Sequence, residues 1–299
     1  MVGDYSNRAL SVHSDKLLAV AGLASLMQKN YNLTYATGLW EEDLPIGLCW
    51  SVIPQNDTVH KKEVRPVNED DPDYLAPTWS WASVRNKPVH FVDTKTPYLH
   101  EEGMQVLGLE TAHLPGALAP YGGTTYAKLT ISVRMRKVVL VPPRAGLSTP
   151  TPYGESNEDL KEDDPIFRPV AVVDPLTESV MGYATLDSLK VYGDVSKQYR
   201  ESQRDTNSSS TTESIVNQAS CIPRVSHNGF KAWCVPCVVR ENGGYHYTIA
   251  LVLTLSNAER QEYCRIGIMF IRVEDLFPMD NLDNPSGDER KDFETIHVI

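Results

Sequence analysis

Along this chain the spacing of apolar residues changes from a helical period near the start to a period of two beyond Ala76. Residues 16–27 are almost continuously apolar. Within them Leu17, Val20, Ala24 and Met27 share one helical face, which Leu18, Ala21 and Leu26 widen. The pattern predicts a mostly buried helix that Ser14 or Asp15 opens, with an acid at the positive end of its dipole and Lys29 near the other end. A second, shorter helix is predicted from near Asp43, with Pro45 in its first turn and Leu44, Leu48 and Trp50 along it. Residues 51–73 are polar, charged and irregular and read as a loop.

In the β-rich part Leu129, Ile131, Val133 and Met135 alternate with Lys128, Thr130, Ser132 and Arg134, the mark of a half-buried strand. The alternation slips at Arg136-Lys137 and the run 138–141 continues, so a bulge is expected there. Residues 170–173 and 180–184 flank the turn-like Asp174-Pro175, a hairpin. Residues 233–240 and 245–255 are joined by Asn242-Gly243-Gly244, the strongest hairpin signal in the sequence. Residues 263–273 and 295–299 complete the β segments. The expected fold is α+β, a short helical N-terminal segment packed on a largely antiparallel β-rich region. The expected division is 1–75 for the helical segment and loop and 76–299 for the β-rich region. Two stretches, near 142–165 and 193–220, have little to bury and read as mobile insertions.

Composition agrees with a globular chain of 299 residues: 41% are hydrophobic and 22% charged. The net charge of −11 argues against a general nucleic-acid or anionic-membrane binder. Segments 155–164 and 274–294 carry −5 and −6, so the acidity is local rather than spread over the surface. The sequence has neither a signal-peptide pattern nor an apolar run of membrane-spanning length, and five cysteines make a poor disulfide framework. The expectation is a cytoplasmic protein without a nucleic-acid or membrane partner.

Candidate chemistry is sparse. Cys234-Val235-Pro236-Cys237 has the spacing of a thiol-redox or zinc pair, but its context is a strand with no helix start to lower a thiol pKa. Buried strand cysteines are the better reading. Nucleophile elbow, metalloprotease helix, phosphate loop and dinucleotide glycine pattern are all missing from the sequence, so no catalytic residue, metal site or cofactor is assigned. The tryptophans are more specific. Trp40 and Trp50 bracket the second predicted helix, and Trp79-Ser80-Trp81 is read as an extended segment with two indoles on one side. Trp79 and Trp81 can form an aromatic platform for a ligand or peptide, or can anchor the helical part on the β part with each indole N–H on a carbonyl. The second reading is favoured. Arg8, ahead of Asp15-Lys16, is read as part of a charged clamp on the helix entry.

Three blocks also resemble a family. Tyr5-Ser6-Asn7-Arg8 followed by the Asp15-Lys16 helix, Gly38-Leu39-Trp40 with Asp43 leading to Trp50, and Pro77-Thr78-Trp79-Ser80-Trp81 are similar, in order and spacing, to the stretch after the HET domain of fungal heterokaryon incompatibility proteins. Thr78 stands where that signature usually has Ser. Arg265-Ile266-Gly267-Ile268 and the terminal Thr295-Ile296-His297-Val298-Ile299 resemble weaker features of the same family. The specific part of the resemblance covers about 85 residues, and the motifs of the HET domain itself are not among the 299 residues. In the family that domain is thought to be TIR-like and to trigger cell death after non-self recognition. The resemblance therefore implies a C-terminal accessory region, truncated or from a shifted start. Such a region would be non-catalytic and would work with a HET domain in cis or in trans.

Overall fold

The computed structural model describes residues 2–8, 10, 12–52, 74–85, 88–91, 98–99, 104–113, 119–142, 169–208, 229–242, 245–276 and 293–299. Most of the predicted loop, and the predicted insertions at 143–165 and 209–220, lie outside these residues.

The chain opens with α1 (Val2–Ser6) and α2 (Asp15–Tyr31), then β1 (Tyr35–Ala36), β2 (Leu39–Trp40) and β3 (Trp50–Val52). Next come β4 (Val89–Phe91), β5 (Tyr98–Leu99), β6 (Gln105–His113), β7 (Thr124–Val133) and β8 (Arg136–Val141). Strands β9 (Val170–Val173) and β10 (Val180–Leu186) precede helix α3 (Leu189–Ser208). The chain ends with β11 (Phe230–Asn242), β12 (Tyr245–Asn257), β13 (Glu262–Arg272), α4 (Val273–Leu276) and β14 (Glu294–Val298). This is a mainly β protein, and α+β describes it only loosely.

Six strands close into an antiparallel barrel. β8 pairs with β9, β9 with β10, β10 with β13, β13 with β12, β12 with β11, and β11 returns to β8. So small a barrel is filled by its own side chains. Val138, Leu140, Val172, Ala184, Ala232, Ala250, Val252 and Met269 pack in its interior, with Val191 and Val195 of α3 and Leu276 of α4 in the same cluster. Closure depends on Gly267. A Cβ there would lie 2.5 Å from the Thr185 carbonyl oxygen and 3.2 Å from Leu186 Cα on β10. Beside the barrel, β14 runs parallel to the start of β13 and carries β7 and β6 in antiparallel order.

A second core lies outside the barrel. Val235, Val238, Ile249, Leu251 and Ile268 from the outer faces of β11–β13 meet Leu129 and Ile131 of β7 and Ile296 of β14. The N-terminal residues Leu17, Leu39, Leu48, Trp50, Trp79 and Trp81 complete it. Within the barrel wall, Val139, Val141 and Val173 face outward against Tyr199 of α3.

Both predicted hairpins form, as β9–β10 and β11–β12. Asp174 caps the first turn by accepting from Leu176 N and Thr177 Oγ1. Four expectations need correction. Instead of a second helix the chain makes two 3₁₀ turns, Glu41–Asp43 and Ile46–Leu48, and Trp50 is already in β3. Between β7 and β8 there is a crossing rather than a bulge, because β7 pairs with β6 and β14 whereas β8 joins the barrel. Residues 193–208, read as part of an insertion with little to bury, belong to α3, whose Val191, Val195 and Ser202 are buried. Helix α2 buries only Lys16, Leu17, Ala21 and Ala24. Among the described residues no helix is long and apolar enough to cross a membrane.

Candidate functional site

The residues of the three sequence blocks converge on the outer core, joined by side chains that donate to backbone carbonyls. Tyr5 Oη donates to the Lys16 carbonyl at 2.7 Å. Lys16, only 4% exposed, extends its amine to the carbonyls of Trp81 at 3.1 Å and Val84 at 2.5 Å. The same amine sits 4.9 Å from the centre of the Trp81 ring, a cation–π contact, and the Tyr5 ring meets that indole edge-on at 6.0 Å. Burial pulls the amine from its ordinary 10.5 down to about 7.

Trp81 Nε1 donates to the Gly38 carbonyl at 2.7 Å. Gly38 has a φ of +95°, and a Cβ on it would lie 2.8 Å from that indole nitrogen, so the position requires glycine on both counts. Ser80 Oγ donates to the Thr37 carbonyl at 2.5 Å and accepts from Ala82 N at 3.1 Å, capping the short turn Trp81–Ser83. Trp50 Nε1 donates to the Trp79 carbonyl at 3.0 Å, which ties β3 to the same turn.

Arg265 links this assembly to the barrel. It lies on β13 between the residues that pair with β14 (Glu262, Tyr263) and those that pair with β10 (267–270), where the strand changes neighbours. Its backbone N–H, left without a strand partner on that side, donates to Thr78 Oγ1 at 2.9 Å, and Thr78 Oγ1 donates in turn to the Ile299 carbonyl. The residue is 2% exposed, and its guanidinium carbon lies over Trp50, 3.3 Å from the ring centre. Nη2 donates to the Trp50 carbonyl at 2.5 Å and pairs with Asp187 Oδ1 at 3.2 Å. Arg265 Nε, Arg265 Nη1 and Asp187 Oδ2 are buried with no hydrogen-bond partner among the described residues. Burial raises the Asp187 carboxyl to about 6 against the opposing pull of Arg265.

The predicted site residues fall into three groups. Tyr5, Lys16, Gly38, Trp50, Pro77, Trp79 and Trp81 belong to this assembly. Trp40 is half-buried at its edge, with its ring against Tyr35 at 5.4 Å. Arg8, Asp15 and Asp43 are exposed. The clamp on the helix entry is made by Lys16 and Tyr5, not by Arg8. Trp79 and Trp81 are 0% and 1% exposed, so neither ring presents a face to solvent. Trp81 makes the indole-to-carbonyl bond of the anchoring reading, and the Trp79 indole nitrogen is buried with no hydrogen-bond partner among the described residues.

Cys234 and Cys237 are both buried but lie in separate clusters. Cys234 faces the barrel interior, its Sγ 3.2 Å from Met269 Sδ, and burial pushes its thiol up to about 12. Cys237 sits at a register shift of β11 and turns to the outer core, where its Sγ donates to the Pro45 carbonyl at 3.1 Å. Burial, with the Cys49 thiol beside it, holds Cys237 well above the ordinary thiol range, the reverse of what a nucleophilic thiol needs. Among the described residues no three His, Cys, Asp or Glu side chains are grouped as metal ligands would be.

Sequence reasoning did not identify Asp187, or Arg265 as the link between blocks and barrel. Arg265-Ile266-Gly267-Ile268 was the available signal, an arginine two residues from a glycine in an otherwise apolar strand. Such an arginine needs a buried acceptor set, and such a glycine needs a close backbone neighbour. No family model, curated protein or solved structure matches this chain.

Proposed function

We propose that the chain is a non-catalytic accessory region of a heterokaryon-incompatibility-type protein, acting with a HET domain in cis or in trans in non-self recognition and cell death. It would serve as a scaffold that regulates that domain or gives it partner specificity. The observation that supports this reading is the convergence of the three resembling blocks, separated by up to about 70 residues in sequence, on one hydrogen-bonded assembly. Within it the side chains of Lys16, Trp81, Ser80 and Trp50 hold backbone, each donating to a carbonyl. Groups held in this way are poor acids, bases or nucleophiles, because each would have to leave a buried acceptor unpaired to react.

The experiment mixes the purified chain with a purified HET domain from a protein of that family and measures binding by calorimetry. In parallel the chain alone is assayed for turnover of nicotinamide dinucleotides. The reading predicts binding to the domain and no turnover by the chain alone. Turnover by the chain alone that is lost on mutating one polar cluster overturns it, as does failure to bind.

A further inference from the structure

Helix α2 turns Lys16, Leu17, Ala21 and Ala24 into the core and leaves an apolar outer face. On that face Leu18, Leu23 and Leu26 are 43%, 42% and 54% exposed, and Ala19, Gly22 and Ser25 are exposed with them. Val12 and Tyr31, at either end of the helix, are 50% and 70% exposed. The central stretch of α2, residues 17–27, is apolar nearly all round; such a helix belongs between two partners, and the described residues supply one.

Gly22 sharpens the point. It stands in the middle of a 17-residue helix, where glycine is disfavoured against alanine, and no atom of the described residues lies within 4 Å of where its Cβ would be. The described residues give no reason for a glycine here. A second backbone approaching closely at that point does.

The residues around Gly22 identify the second backbone. Counting outward, four residues on either side bring Leu18 and Leu26, and seven bring Asp15 and Lys29, all on one helical face and all exposed. The stripe is symmetric in size and opposite in charge about its centre. Among the described residues neither Asp15 nor Lys29 has an ion-pair partner. In an antiparallel pair of such helices Gly22 meets Gly22 on a two-fold axis, each Leu18 lies beside Leu26 of the partner subunit, and each Asp15 lies beside Lys29 of the partner subunit. That is the self-complementarity an isologous interface requires.

We propose that α2 is a homodimerisation surface on which a second copy of this chain packs its own α2 antiparallel, with Gly22 at the axis. One helix pair is small beside the roughly 1,200–2,000 Å² of a stable interface, so the dimer is weak and concentration-dependent. This goes beyond the accessory-region reading and does not depend on it.

Sedimentation velocity on the full chain, from low micromolar to the highest soluble concentration, tests it. The expected result is a monomer–dimer equilibrium that Leu26→Glu weakens by about tenfold or more, since the outward side chain would bury a carboxylate in the seam. Gly22→Ala raises the thermal midpoint of the monomer and weakens association, a split that a purely intramolecular role cannot produce. Asp15→Lys and Lys29→Asp each weaken the dimer, and the double variant restores it. A chain that stays monomeric throughout, including one that binds a HET domain through this face instead, overturns the proposal. A dimer indifferent to Leu26→Glu, or one the double charge swap fails to restore, overturns it too.

Discussion

Replacing Arg265 by methionine keeps much of the side-chain volume on Trp50 and removes the charge. The guanidinium lies 3.3 Å over the Trp50 ring, holds the Trp50 carbonyl at 2.5 Å and pairs with Asp187 at 3.2 Å, all inside the protein. Arg265→Met leaves the Asp187 carboxyl without its cation and the Trp50 carbonyl without this donor. Removing one partner of a buried ion pair costs about 3–5 kcal/mol. That is a large part of the roughly 5–15 kcal/mol a folded domain has in all. Arg265→Met with Asp187→Leu removes both charges and should recover most of the loss, because an apolar pair replaces a buried ionic one at little net cost. Urea unfolding followed by tryptophan fluorescence measures all members of the cycle. The coupling between the two sites should be at least as large as that recovery, about 3 kcal/mol or more. The pH dependence gives a second readout. Asp187 holds its proton up to about 6 in the native state, whereas an unfolded aspartate releases it near about 3.9. The native state thus binds more protons over this interval, and stability falls as pH rises from about 4 to about 6. Without Arg265 to pull the carboxyl down, the fall should continue above pH 6. A single substitution costing less than about 1 kcal/mol, or additive effects in the cycle, would refute the role given to this pair.

Lys16 gives a slope of the opposite sign. Its native amine loses its proton near 7 while the unfolded chain keeps its own to about 10.5, so the unfolded state binds more protons and stability rises with pH between these values. Subtracting the curve of Lys16→Met isolates the effect, and parallel curves for the two proteins in this window would exclude it. Gly267→Ala should destabilise by about 1–3 kcal/mol by wedging β10 from β13, as read in thermal melts. Gly193→Ala in α3, where no atom of the described residues lies within 4 Å of the new methyl group, should stabilise by up to about 1 kcal/mol, and equal effects at the two glycines would contradict the role of Gly267 in closure.

What the sequence made legible was local. Alternation marked β7, turn residues marked the β9–β10 and β11–β12 hairpins, and the apolar run marked α2. Barrel closure was not legible, because β10–β13 and β8–β11 join strands far apart in the chain and no short-range pattern encodes such a pairing. Helix α3 was hidden by its polar residues. Only Val191, Val195 and a few neighbours face inward, and a run of serines and threonines follows it. The 3₁₀ turns around Pro45 carried helix-like spacing for one turn each and then stopped. The three sequence blocks were recognised as units, yet the bonds that join them were not, since their acceptors are backbone carbonyls and leave no mark in the sequence. Apolar residues round the middle of α2 predicted burial, and the described residues bury one face only.

The N-terminal blocks and the barrel form one interlocked scaffold joined through Arg265. Hydrogen exchange by mass spectrometry on the full chain tests it most directly, because amides that open only in global unfolding share a single protection free energy. The account predicts that residues 79–84 and the α2 amides around Ala21 are protected to the same level as the centres of β12 and β13, and that Arg265→Met lowers all of them together. Fast exchange in the N-terminal blocks over a fully protected barrel would contradict it.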